Sequence, residues 1–164
     1  MDNYITINGK KAELTEEQLK QLGINVEEKK ETPFARHSNY WSISARGSVE
    51  GLCDYNSDFD NAIYDNVNYF NDYKFAQQVA LHQLLYRKLL KYAYENDAIV
   101  NDWTDPNSPK YFVSKSIDTN TFYADWNLVV KNGCAVYFTS KEVIERAIED
   151  VVIPFMKEHP EFVW

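Results

Sequence analysis

Glycine, histidine and cysteine are scarce in this chain, and their scarcity removes several classes of site. Five glycines in 164 residues leave no glycine-rich phosphate loop, and two cysteines and three histidines do not occur at zinc-site spacing. No serine or cysteine lies in a nucleophile-elbow motif. The sequence therefore predicts no metal, no cofactor and no catalytic residue. An enzyme of unrecognised type stays an alternative, because a site assembled only in space leaves no motif.

Positive charge and long apolar runs are also lacking. Seventeen Lys and Arg against 25 Asp and Glu give a net charge of −8, which disfavours a surface that neutralises many phosphates. No apolar run has the length of a membrane span or a secretory leader. Cys53 and Cys134 lie far apart and predict two free thiols in a reducing compartment. We expect a cytoplasmic protein with no membrane contact and no broad nucleic-acid binding.

Aromatic residues are plentiful by contrast. The chain has 12 Tyr, 9 Phe and 4 Trp, and 45% of its residues are hydrophobic. These side chains favour sheets and protein interfaces, since they combine a large apolar area with a polar edge. The composition indicates an α+β binding domain.

Residues 1–24 predict a small β-hairpin followed by a helix. Alternating apolar residues flank Asn8-Gly9, a pair typical of a type I′ hairpin turn. Thr15 and Gln18 have the spacing of a capping box, which begins a helix. A module of this size needs another surface for stability.

The rest of the chain predicts a linker and two similar units. The linker is 25–36, the first unit 37–97, the connector 98–109 and the second unit 110–164. Each unit is expected to contain three antiparallel strands followed by a helix. The expected strands are 40–45, 48–55 and 62–70 in the first unit, and 110–117, 122–130 and 134–138 in the second. The predicted fold class is thus α+β, with two β-meander-plus-helix (βββα) units and the hairpin-helix appendage.

An internal similarity supports the two units. "NYFNDYKFAQQVA" at 68–80 aligns without gaps with "VYFTSKEVIERAI" at 136–148. In both, an aromatic pair ends a strand, and Asn71 or Thr139 is expected to cap the helix that follows. Chance similarity is the alternative, because strand, cap and helix often follow one another.

The stretch "DYNSDFD" raises the question of calcium. Asp54, Asn56, Asp58 and Asp65 fall at ligand positions of an EF-hand loop, but Phe59 stands where the sharp bend needs glycine. We therefore interpret the stretch as a turn between strands. Its aspartates are expected to accept local backbone hydrogen bonds.

The same region predicts a partner-binding surface. From Glu50 to Asp72 there are six acidic residues and no Lys or Arg. Carboxylates interleaved with tyrosines suit a basic, arginine-bearing partner and could imitate nucleic acid. A solvated acidic face is the alternative. The predicted contact residues are Asp54, Asp58, Asp60, Tyr64 and Asp65, with Glu50 and Tyr55 at the rim.

The helix expected at 72–96 is apolar on two sides, which suggests a second kind of interface. It could be a central helix covered by the chain itself. It could also join copies of the chain in a homo-oligomeric structural or assembly factor. The residues of that possible oligomer interface are Leu81, Leu84, Leu85 and Tyr92.

Three stretches carry a resemblance to known proteins. "ITINGKKAELTEEQLKQLGI", "NYFNDYKFAQQVALHQLLYRKLLKYA" and "CAVYFTSKEVIERAIEDV" resemble small acidic proteins encoded by phages and prophages of low-GC Gram-positive bacteria. The resemblance covers most of the chain but includes no catalytic motif. It implies a non-enzymatic accessory protein of the anti-defence or anti-CRISPR type. Such a protein would inhibit a basic, nucleic-acid-handling host protein.

Overall fold

The computed structural model describes residues 4–7, 10–22 and 31–164. The chain divides into two compact units, Met1–Thr32 and Pro33–Trp164. The first unit contains β1 (Tyr4–Ile7), β2 (Lys10–Glu13) and α1 (Glu16–Gln21). The second contains, in chain order, β3 (Asn39–Ile43), β4 (Val49–Cys53), α2 (Asp58–Asp65), α3 (Tyr73–Glu95), β5 (Lys110–Lys115), β6 (Phe122–Asn127), α4 (Lys141–Ala147), a π-helical turn (Ile148–Val152) and α5 (Ile153–Glu158). The architecture is α+β, as predicted.

The first unit is a hairpin followed by a short helix. β1 and β2 pair antiparallel, with Tyr4 opposite Glu13. The Thr15 backbone N–H donates to Gln18 Oε1 at 2.9 Å, and the Gln18 N–H donates to Thr15 Oγ1 at 3.3 Å. This reciprocal pair is the predicted capping box, and it satisfies N–H groups that the first helical turn leaves free. The predicted turn at Asn8-Gly9 lies outside the described residues.

In the second unit, β3 and β4 form a tight antiparallel hairpin. Gly47 adopts a φ of +84° in the connecting turn, a conformation that glycine reaches without steric cost. Trp41 lies opposite Gly51, where a Cβ would approach the indole to 3.0 Å. The missing side chain therefore lets the indole lie close over the neighbouring strand.

The strand expected at 62–70 is wrong, because residues 62–65 belong to α2 and the rest of the segment forms no strand. Ser57 caps this helix, and Asp60 completes a capping box with the Ser57 backbone N–H. A strand contact remains at Phe70, whose backbone N–H and C=O pair with those of Trp41 at 2.9 and 2.7 Å. The cap favours helix over strand from its first turn onward.

The third strand expected in the second unit, 134–138, is also wrong. β5 and β6 form the expected hairpin, but the segment that follows contributes isolated bridges. Phe138 exchanges backbone hydrogen bonds with Tyr111 at 2.8 and 2.9 Å, and the Thr139 N–H donates to Ala98 at 2.8 Å. The segment is thus held between β5 and residues 98–100 at single points, and neither half has a βββα pattern.

α3 and α4 are capped one residue later than predicted. Asp72, not Asn71, caps α3 by accepting a hydrogen bond from Phe75 N–H. Ser140, not Thr139, caps α4 in the same way. The same one-residue offset occurs in both places, so the two aligned stretches still share a local geometry.

The helical run that starts at α4 widens before Pro154. Proline has no N–H and its ring clashes with the carbonyl four residues earlier. A π-helical turn, Ile148–Val152, precedes this position, and helix resumes as α5. The wider turn accommodates the proline, so the run continues to Glu158 instead of ending at Pro154.

The hydrophobic core of the second unit lies where α3 meets α4 and the π-helical turn, with β5 and β6 against α4. Phe138, Ile144 and Phe155 are fully buried there. Each large apolar side chain buried in this way stabilises the fold by roughly 1.5–3 kcal/mol. A separate aromatic cluster lies under β3, where Tyr40 and Tyr69 stack with ring centroids 4.0 Å apart.

Candidate partner-binding surface

The stretch 54–60 forms the entry to α2, and one buried carboxylate organises it. Asp60 is 3% exposed. It accepts hydrogen bonds from the backbone N–H groups of Tyr55 and Ser57, at 3.1 and 3.0 Å, and from the Ser57 hydroxyl at 2.6 Å. The Tyr40 hydroxyl donates to the other carboxylate oxygen at 2.8 Å. These bonds fix the loop, the start of α2 and β3 to one another.

The hydrogen bonds keep Asp60 ionised. Together they lower the pKa of Asp60 to about 2, with the Ser57 hydroxyl as the largest cause, although burial acts in the opposite direction. Burial, followed by the hydrogen bond to Asp60, raises the pKa of Tyr40 above its ordinary range. Asp60 is therefore a structural carboxylate whose charge is satisfied inside the protein.

Asp54 also forms hydrogen bonds with groups of the protein itself. The Asn56 backbone N–H donates to Asp54 Oδ1 at 2.7 Å, and Arg36 Nε donates to Oδ2 at 2.9 Å. Tyr69 places its hydroxyl 3.1 Å from the same Oδ2. The pKa of Asp54 is lowered first by the Asn56 N–H and then by Arg36. The local bonds match the prediction that these aspartates bind nearby backbone, although the stretch leads into a helix and not a strand.

Arg36 was not expected at this surface, because the sequence placed it in a linker. Its Nη2 donates to Asn61 Oδ1 at 2.6 Å. Its guanidinium carbon lies 5.0 Å from the centre of the Tyr64 ring, within cation–π range. A carboxylate, an amide and an aromatic face thus already hold one arginine here. No local signal in the sequence links Arg36 to Asp54.

The outer face of α2 and the residues before it remain open. Tyr55 is 82% exposed and Phe59 is 63% exposed. Asp58 and Asp65 are exposed and lie seven positions apart, which puts them on one face of the helix. Within residues 31–164, neither carboxylate has an ion-pair partner. We call Tyr55, Asp58, Phe59 and Asp65 the α2 face.

The predicted contact residues are therefore divided by the structure. Asp54 and Asp60 form hydrogen bonds within the protein. Tyr64 is 40% exposed and lies beneath Arg36, and Glu50 is exposed on β4. Phe59 was not among the predicted residues. The spacing Ser57-x-x-Asp60, a capping-box pattern, could have identified both the helix and the structural role of Asp60.

The residues proposed for an oligomer interface lie in and around the core. Leu81 and Leu85 are buried, and Leu84 and Tyr92 pack against the same cluster. The Tyr92 hydroxyl also donates to Asp150 Oδ2 at 2.8 Å. α3 is thus covered on these sides by the chain itself, which is the arrangement expected of a central helix.

The part of the chain that the structure describes has no cluster of metal ligands and no membrane-spanning helix. There, no three His, Cys, Asp or Glu side chains lie close enough together to hold a metal ion. No helix there combines the length and the apolar character that crossing a bilayer requires. The chain matches no protein-family model, no curated protein and no solved structure.

Proposed function

We propose that this protein is a non-enzymatic binding protein whose α2 face docks on a basic, arginine-bearing surface of another protein. The observation that carries the proposal is the combination of two carboxylates without an ion-pair partner among residues 31–164, Asp58 and Asp65, with two exposed aromatic rings, Tyr55 and Phe59. Interfaces often centre on such aromatic anchors, and flanking charges select the partner and speed association.

The electrostatics favour a basic partner. The chain carries a net charge of −8, so a positively charged protein is attracted before contact. Asp58 and Asp65 can each accept charge-assisted hydrogen bonds from a guanidinium. Tyr55 and Phe59 can stack on its face or fill an apolar pocket between basic residues.

The protein itself provides an example of the chemistry. Arg36 is bound by Asp54 and Asn61 while it lies over Tyr64. The α2 face offers a similar combination of carboxylate and ring, and no Lys or Arg among residues 31–164 forms an ion pair with its carboxylates. We therefore expect arginine to be recognised more strongly than lysine, because it can pair and stack at once.

Rigidity supports the proposal as well. Asp60 ties the loop before α2 to Ser57 and Tyr40, which holds Tyr55 and Asp58 on a fixed backbone. A surface that is ordered before binding loses less conformational entropy on association.

The resemblance to phage-encoded acidic proteins suggests which partner this is. We propose a nucleic-acid-handling host protein that is inhibited when the α2 face occupies a groove that normally holds phosphates. Exposed carboxylates at fixed spacing can take the place of phosphates against arginine side chains.

The test compares two double variants with the same change of charge. Asp58→Asn/Asp65→Asn alters the α2 face, while Asp118→Asn/Glu149→Gln removes two exposed carboxylates elsewhere. A partner is captured from host lysate, purified, and titrated with each variant at low and high salt. We expect the α2-face variant to weaken binding about tenfold and to reduce its salt dependence.

The control variant should bind as the wild type does, and inhibition of the partner's nucleic-acid binding should fall in parallel with affinity. Equal affinities for both variants would refute the role of the α2 face. A partner that binds with unchanged affinity in high salt would refute the electrostatic part.

A further inference from the structure

A groove lies between α3 and the β5–β6 hairpin, away from the α2 face. Its volume is about 430 Å³, within the range of sites that bind small molecules. Residues 132–136 and 162–164 complete its walls. The apolar part of the lining is formed mainly by Leu85, Leu89, Val113, Val136 and Phe162.

Three aromatic rings surround the groove and keep a large part of their surface open. Tyr86 is 39% exposed, Tyr123 is 45% exposed and Trp164 is 38% exposed. Ring contacts hold the walls of the groove in place. Trp164 packs on Phe122 with ring centroids 4.9 Å apart, and His82 packs on Phe162 with ring centroids 4.6 Å apart. A flat apolar body could stack on Tyr86 and Trp164 without any rearrangement of the core.

One cation without a carboxylate partner gives the groove its polarity. Lys115 lines it with Nζ 5.6 Å from the centre of the Phe122 ring. Within residues 31–164, Lys115 has no ion-pair partner, and no Asp or Glu lines the groove. In a chain with a net charge of −8, this ammonium beside apolar walls is a favourable place for an anion to bind.

We propose that this groove binds a small organic anion with a flat, apolar body. The body lies against Tyr86 and Trp164, and the anionic group pairs with Lys115 Nζ. Asn132, which also lines the groove, accepts from the Cys134 N–H at 3.0 Å and can offer its amide N–H groups to a ligand, whereas the Ser114 hydroxyl already donates to Asp125 Oδ2 at 3.4 Å. The site is separate from the α2 face, so either proposal can fail without the other.

The two cysteines allow the site to be located in the wild-type protein. Cys134 lines the groove, whereas Cys53 is exposed at the end of β4. The probe is anilinonaphthalene sulfonate, an aromatic anion whose fluorescence rises in apolar surroundings. We expect saturable binding that slows alkylation of Cys134, measured by mass spectrometry, and leaves alkylation of Cys53 unchanged.

A neutral probe of similar shape, phenylnaphthylamine, isolates the role of charge. We expect Lys115→Met to weaken the sulfonate about tenfold and to leave the neutral probe unaffected. Lys157→Met, an exposed lysine on α5, is the matched control and should change neither. Unchanged binding of the neutral probe also shows that the Lys115 variant keeps its groove.

Three results would overturn the proposal. One is equal affinity of the wild type for both probes, which would exclude recognition of the anion. Another is equal protection of both cysteines, or of neither, at saturating sulfonate. The third is a loss of sulfonate affinity in Lys157→Met as large as that in Lys115→Met.

Discussion

Replacing Ser57 by alanine tests whether the hydrogen bonds between Ser57 and Asp60 hold the α2 face in place. The Ser57 hydroxyl accepts a hydrogen bond from the Asp60 backbone N–H at 3.3 Å and donates one to Asp60 Oδ2 at 2.6 Å. Loss of a helix N-cap costs about 0.5–2 kcal/mol. Because this hydroxyl has both roles, we place Ser57→Ala in the upper half of the range, at about 1.5 kcal/mol. That corresponds to a decrease of about 5 °C in Tm.

The prediction also has a pH dependence with a definite sign. The folded-state pKa of Asp60, about 2, lies below its ordinary value of 3.8. Its contribution to stability is therefore present above pH 3.8 and is lost as the pH falls through about 2. Ser57→Ala removes the largest cause of the lowered pKa. The stability difference between wild type and variant should thus shrink as the pH falls towards 2.

Urea unfolding followed by circular dichroism, repeated between neutral and acidic pH, measures both effects. Ser140→Ala is the control, since Ser140 caps α4 but donates to the exposed Glu142. We expect it to cost less, about 0.5–1 kcal/mol. A loss of stability in Ser57→Ala no larger than in Ser140→Ala, or a difference from wild type that grows in acid, would refute the reasoning.

Two further predictions concern the core and the bound arginine. Phe138→Ala should destabilise the protein by about 3–5 kcal/mol in urea unfolding, because it empties a fully buried site, while Val129→Ala at the surface should stay within about 0.5 kcal/mol. Arg36→Met should raise the pKa of Asp54, followed by NMR of the carboxyl carbon, but should not restore it fully, since the Asn56 N–H remains. An Asp54 pKa that does not move would show that Arg36 contributes nothing to that carboxylate.

Local sequence patterns predicted elements whose stabilising contacts are close in the chain. The β5–β6 turn contains Asn120 at a φ of +53°, where asparagine is tolerated, and both strands of the hairpin lie within the predicted ranges 110–117 and 122–130. α3 has its predicted extent within a residue at each end, because its apolar periodicity and cap are both local.

The strand expected at 62–70 shows that local sequence patterns are not always sufficient to predict an element. Its aromatic and β-branched residues favour strand, yet the capping box at Ser57 favours helix. Asp60 then bonds to Tyr40, twenty positions earlier, and this contact anchors the helix to β3. Secondary-structure propensities of neighbouring residues take no account of a hydrogen bond between residues this far apart in the chain.

The sequence by itself determined the α+β class, the hairpins, the long helix and the acidic, aromatic character of the chain. Only the tertiary structure decided which acidic residues face outward. It turned Asp54 and Asp60 inward, brought Arg36 from a predicted linker onto Asp54, covered Leu81 and Leu85, and formed the groove at Lys115. The physical reason is that burial and long-range pairing depend on which segments pack together. Composition and spacing indicate only which interactions each residue can form, not which of them it forms in the fold.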